Sequence, residues 1–143
     1  MGRRKHPDEG MAALFALGLS VVLLACAGLV IDGGVAINAR MRVADDAEQA
    51  ARVGADSINV QLLRAGGSIE IDDALAQRRA AEYLATRGYG LNQFNVDVLN
   101  DGSVDVTVRD TTEPLLLSII GVPPFKVGAG AVAAPETDPQ GGP

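Results

Sequence analysis

The chain of 143 residues has no tryptophan, three phenylalanines, two tyrosines, one cysteine and one histidine. Each shortage excludes something. A single thiol, Cys26, rules out an intramolecular disulfide. One thiol and one imidazole, His6, build neither a Cys/His metal cluster nor a His-based catalytic triad within one chain. No catalytic residue, metal or cofactor is expected, and the chain is not expected to be an enzyme. The formal charge is −6, with 12 basic and 18 acidic side chains. An acidic chain without an aromatic platform beside its few Arg residues lacks the footprint that phosphate binding needs, so nucleic acid is not an expected partner.

Charge itself is missing from Met11 to Ile31, twenty-one residues that include eleven Leu, Ile, Val and Phe. As a helix this run spans roughly 32 Å, enough for the ~30 Å hydrocarbon core of a bilayer. Gly18, Ser20 and Gly28 dilute its hydrophobicity without removing the tendency to insert. Residues 1–10 carry Arg3, Arg4 and Lys5 against Asp8 and Glu9, a net +1, and the chain beyond the run carries −7. Basic residues close to a span favour the cytoplasmic side. The expected topology is a single-pass cell-membrane protein, with membrane lipid as one partner, a cytoplasmic N-terminus and the C-terminal part outside.

About a hundred residues remain beyond the span, room for one small domain with a thin core. From 32 to 63 an amphipathic stalk helix is expected, because Ala36, Ala39, Val43, Ala47, Ala50, Gly54, Ile58 and Leu62 recur at steps of three and four. Arg42 with Asp46, Glu48 with Arg52, and Arg52 with Asp56 form (i, i+4) pairs on its wet face. Asp32-Gly33-Gly34 reads as a hinge at the membrane edge, since adjacent glycines weaken a helix by about 1 kcal/mol each relative to Ala. Ala12, Ala16 and Ser20 make a small-xxx-small ridge in the span, continued outside by Ala47, Ala50 and Gly54. Close approach of helical backbones along such a ridge is the expected route to self-association or partner association.

The segment 64–134 is expected to be a small α+β domain. A loop at Ala65-Gly66-Gly67-Ser68 precedes a second helix capped by Asp72, with Asp73 in its first turn, Arg87 in its last and Gly88 closing it. Ala76, Ala80, Tyr83 and Leu84 form its inward face. The period then changes to two: Phe94, Val96 and Val98 make one strand, and Val104, Val106 and Val108 a second. A three-residue loop, Asn100-Asp101-Gly102, pairs Val98 with Val104 and Val96 with Val106, keeping the valines on one face. It also places Asp97 opposite Asp105 on the wet face, where a solvated turn is expected rather than a calcium site. Phe125, Val127, Ala129, Ala131 and Ala133 alternate as a third strand. Between these strands Pro114–Val122 is apolar and is expected to bury as a helical turn, the other reading being an exposed tip that touches lipid or a partner. The Pro- and Gly-rich tail, 135–143, is expected to be disordered.

Leu23-Leu24-Ala25-Cys26 satisfies a loose lipobox, and Ala25-Cys26-Ala27 a signal-peptide cleavage pattern. The apolar run continues through Gly28, Leu29, Val30 and Ile31, which argues against both. A charged leader ending at Gly10, with the apolar helix starting at Met11, fits the boundary better, since prepilins are built this way. Gly10 followed by Met11-Ala12-Ala13-Leu14-Phe15-Ala16-Leu17, then Ala27-Gly28-Leu29-Val30-Ile31-Asp32, Ala39-Arg40-Met41-Arg42 and Ala44-Asp45-Asp46-Ala47-Glu48-Gln49-Ala50-Ala51, resembles the N-terminal segment of Tad (tight adherence, Flp pilus) assembly proteins of the TadE/TadG-like group. The resemblance covers residues 9 to 58. It implies a bacterial cell-surface protein with a pilin-like fold, a structural role as a minor pilin or pilus-assembly component, other pilus or secretion subunits as partners, and peptidase cleavage between Gly10 and Met11. Major prepilins carry Glu five residues after the cut; Phe15 stands there instead, as minor subunits allow. The alternative function is a single-pass extracytoplasmic binding or sensor module.

Overall fold

The computed structural model describes residues 7–57 and 72–135. The basic tract Arg3-Arg4-Lys5, the loop at 65–68, stalk positions 58–63 and tail residues 136–143 lie outside them. Helix α1 runs from Pro7 to Ala55, 49 residues, about 73 Å at 1.5 Å per residue. Proline suits its first position, where the missing N–H has no helical partner to lose.

The helix does not break at Asp32-Gly33-Gly34, which corrects the expectation of an interruption there. Neither glycine takes a positive φ. Their weak propensity is overridden because the helix is favoured on both sides, by an apolar run before and by tertiary packing after. Within 10–31 only Gly28 is buried. That half is long and apolar enough to cross a membrane. Further on, Ala39, Val43, Ala47, Ala50, Ala51 and Ala55 are all buried, so one helix supplies both an exposed apolar rod and the spine of a core.

α1 ends at Ala55, short of the expected 63. Asp56 and Ser57 donate their N–H groups back to Arg52 and Gly54, and the Ser57 carbonyl accepts the Asp72 N–H at 3.0 Å. This last bond seats the start of α2 (Asp73–Thr86) beside the end of α1. Asp72 caps α2 by accepting from the Leu75 N–H at 3.0 Å. At the other end Gly88 has φ +94°, and Tyr89 and Gly88 donate to Leu84 and Ala85, the two bonds of a Schellman closure. Ala76, Ala80 and Leu84 are buried.

The sheet is antiparallel in the order β1 (Phe94–Val98), β2 (Val104–Thr112), β3 (Phe125–Ala133). Its register is the expected one, with Val98 opposite Val104, Val96 opposite Val106 and Asp97 opposite Asp105. Gly102 turns the corner at φ +80°, and Ser103 donates its N–H and hydroxyl to Asp101. That pair of donors holds the Asp101 carboxyl below its ordinary pKa.

Side-chain size falls across the inner face: Phe94, Val108 and Ala129 form one row, Val98, Val104 and Ala133 another. The small β3 residues let α1 lie close over β2 and β3 while α2 covers β1. Val104, Val106 and Val108 are sealed between the layers. The result is α+β: two helices on one face of a three-stranded sheet, with no described element on the opposite face.

The segment after β2 departs from expectation. It forms a 3-10 turn, Leu117–Ile120, but the turn is not buried. Pro114 is enclosed and Leu117 half-buried, whereas Leu115, Ile119 and Ile120 are 68%, 80% and 73% exposed. The turn projects beyond the end of the two-layer core, beside the exposed half of α1, where no further described element covers it.

Candidate functional site

The most constrained constellation outside the core sits where the uncharged run of α1 ends. Asp32 is completely buried, and its carboxylate faces the 3-10 turn. Oδ1 accepts the N–H of Leu115 at 2.7 Å and Oδ2 that of Leu117 at 2.6 Å. The Leu116 N–H lies between them, 3.1 and 3.0 Å from the two oxygens. Three successive N–H groups thus converge on one carboxylate 83 to 85 residues earlier in the chain.

The arrangement answers two needs together. The first N–H groups of any helical turn lack internal partners, and a buried carboxylate is costly unless hydrogen bonds replace its water. No local side chain caps this turn; Asp32 does so from a distance. One helical turn earlier, a side chain on Gly28 would start 3.5 Å from the Leu116 Cβ and 3.8 Å from the Leu117 Cδ2. The turn thus packs against α1 at Gly28, at a distance where a Cβ would make ordinary van der Waals contact.

A second clamp ties α1 to the end of α2. Asp46, 4% exposed, accepts from the Arg87 Nε at 2.7 Å and the Tyr89 hydroxyl at 2.8 Å. The expected Arg42–Asp46 pair therefore does not form, because Asp46 points inward and its oxygens are taken; Glu48 and Arg52 do pair. Arg87 is the residue that ends α2 rather than part of its last turn, and its side chain reaches α1. Its pKa is raised, first by the hydrogen bond to Asp46 and then by that group's charge. The Tyr89 hydroxyl is pushed up to about 12 by burial first, then by the hydrogen bond to Asp46.

The expected assembly residues divide into two sets. Ala12, Ala16 and Ser20 are exposed along the apolar half of α1, and the Ser20 hydroxyl donates back to the Ala16 carbonyl at 2.8 Å. Ala47, Ala50 and Gly54 are enclosed instead. A Cβ on Gly54 would meet the Val104 Cγ1 at 3.0 Å and the Ala76 carbonyl at 3.4 Å. The outer half of the expected seam is thus the face on which α2 and β2 pack, which removes it from contact with another chain. Gly10 and Met11 lie in the first turns of α1, with Met11 70% exposed. Among the described residues no three His, Cys, Asp or Glu side chains are grouped to hold a metal ion.

The sequence marks Asp32 only as a hinge. The signal for its real partner is present in two halves: an acid directly after an apolar run, and a Pro-led apolar turn with N–H groups to satisfy. Nothing local joins them. No protein-family profile, curated protein or solved structure matches the chain.

Proposed function

We propose that this protein is a membrane-anchored, pilin-like structural subunit, a minor pilin or assembly component of a Tad-type (Flp) pilus or secretion apparatus. Residues 11–31 span the membrane, the N-terminus is cytoplasmic and the α+β domain lies outside. The observation that carries the proposal is the continuity of α1. The helix that presents an apolar rod over 11–31 is the same helix that Val43, Ala47, Ala50 and Ala55 bind into the domain core. No flexible tether separates anchor from domain. A subunit built into an assembly benefits from that stiffness, because a contact made in the membrane fixes the orientation of the exterior. The exposed small ridge Ala12, Ala16 and Ser20 fits helix-to-helix contact within the bilayer.

Cross-linking in native membranes, followed by mass spectrometry of the partners and of the mature N-terminus, tests the proposal. Secretion or pilus subunits are expected in the cross-linked product, together with a chain beginning at Met11 or retaining its leader. Ala16→Leu should lower the yield severalfold while insertion persists. A mature N-terminus at a lipidated Cys26 would remove the anchor and overturn the reading.

A further inference from the structure

We propose that the exposed turn at 115–120 is a second membrane contact, an apolar tip that enters the outer leaflet next to the anchor helix and is held there by Asp32. The inference rests on the anchor reading above. Three observations point to lipid as the occupant.

The first is level. The turn touches α1 at Gly28, in the last helical turn of the uncharged run, and at Asp32, the residue that ends it. Wherever the bilayer surface cuts α1 at the end of that run, it meets the turn as well.

The second is chemistry. Glu113 and Lys126 bracket twelve residues without a charge. Leu115, Ile119 and Ile120, the most exposed large apolar residues among them, present branched aliphatic side chains away from the core. A cluster of this kind suits the boundary between headgroups and acyl chains.

The third is backbone satisfaction. Hydrocarbon does not tolerate unpaired N–H groups. Those of Leu115, Leu116 and Leu117 are held by Asp32. Ile119, Gly121 and Val122 donate to Leu116, Ser118 and Leu117, and the Ser118 hydroxyl donates to the Leu115 carbonyl. The clamp at Asp32 therefore masks polar groups as well as fixing position, leaving an apolar surface on which six backbone N–H groups, those of Leu115, Leu116, Leu117, Ile119, Gly121 and Val122, are paired. Two attachments, the helix and the tip, would stop the domain from tilting about its anchor.

The test uses the full chain in phosphatidylcholine–phosphatidylglycerol vesicles, with Cys26→Ala and a nitroxide on one cysteine introduced at Ile119, Val22 or Asn100. Spin relaxation by oxygen, which concentrates in lipid, is compared with relaxation by a water-soluble nickel chelate. The oxygen-to-nickel accessibility ratio at Ile119 should exceed that at Asn100 severalfold and approach that at Val22. A ratio at Ile119 equal to that at Asn100, with Val22 in lipid, overturns the tip while leaving the anchor intact. Shielding of Ile119 from both reagents also overturns it, since that marks a protein partner. A water-like ratio at Val22 sinks the anchor reading itself.

Discussion

Asp32 and Asp46 occupy the same helix and do related work: each is a buried carboxylate whose oxygens are consumed by groups from a later element. Asp32→Ala should release the 3-10 turn without unfolding the domain, because no core side chain depends on it. Hydrogen exchange read by mass spectrometry should then accelerate at Leu115–Leu117 on the order of tenfold, the factor that one lost charge-assisted hydrogen bond represents, with exchange at Ala80 and Leu84 unchanged. Unaltered exchange at the turn would mean that packing against Gly28 holds it. Tyr89 adds a pH dependence. Its pKa rises from 10.0 to about 12 on folding, so the neutral phenol is favoured in the folded state. The stability this contributes is fully present below pH 10 and is lost as pH rises through 12. In a Tyr83→Phe background, tyrosinate absorbance of the folded protein should have its midpoint near 12, and Asp46→Asn should lower it. A midpoint at the ordinary value of 10.0 would show that Tyr89 is not held in this network.

At the scale of elements, glycine separates two kinds of position on α1. A Cβ added at Gly33 or Gly34 would meet nothing within 4 Å, and neither residue adopts a positive φ. Alanine at each should raise stability by about 0.4–1 kcal/mol, mainly by restricting the unfolded chain. Gly54 faces Val104 and Ala76, so Gly54→Leu should overpack the core and lower stability by about 1–3 kcal/mol. Thermal unfolding in detergent reads both. A stabilised Gly33→Ala/Gly34→Ala protein that fails to assemble would restore the hinge as a functional device. These elements also mark what is legible in the sequence. The caps of α2 and the register of the β1–β2 hairpin are readable because their determinants lie within a few residues: Asp72 and Leu75, Gly88 and Tyr89, Asn100 to Gly102 between alternating valines. The two carboxylate clamps are not, since their partners are more than forty residues away. Small residues at 47, 50 and 54 read as a surface seam because close packing within a chain and between chains demands the same side chains.

For the whole molecule, the proposed arrangement is one rigid helix through the bilayer, with an α+β domain mounted on its outer half and a turn pressed against it where the uncharged run ends. Both the pilin-like role and the lipid-dipping tip depend on that orientation. The most direct measurement is thiol labelling in intact cells with a membrane-impermeant maleimide, using Cys26→Ala as background and a new cysteine at exposed Asn100 or at Gly2. Asn100→Cys should label in intact cells and Gly2→Cys only after lysis. The opposite pattern, or equal labelling of both before lysis, would contradict a cytoplasmic N-terminus joined through the membrane to an external domain.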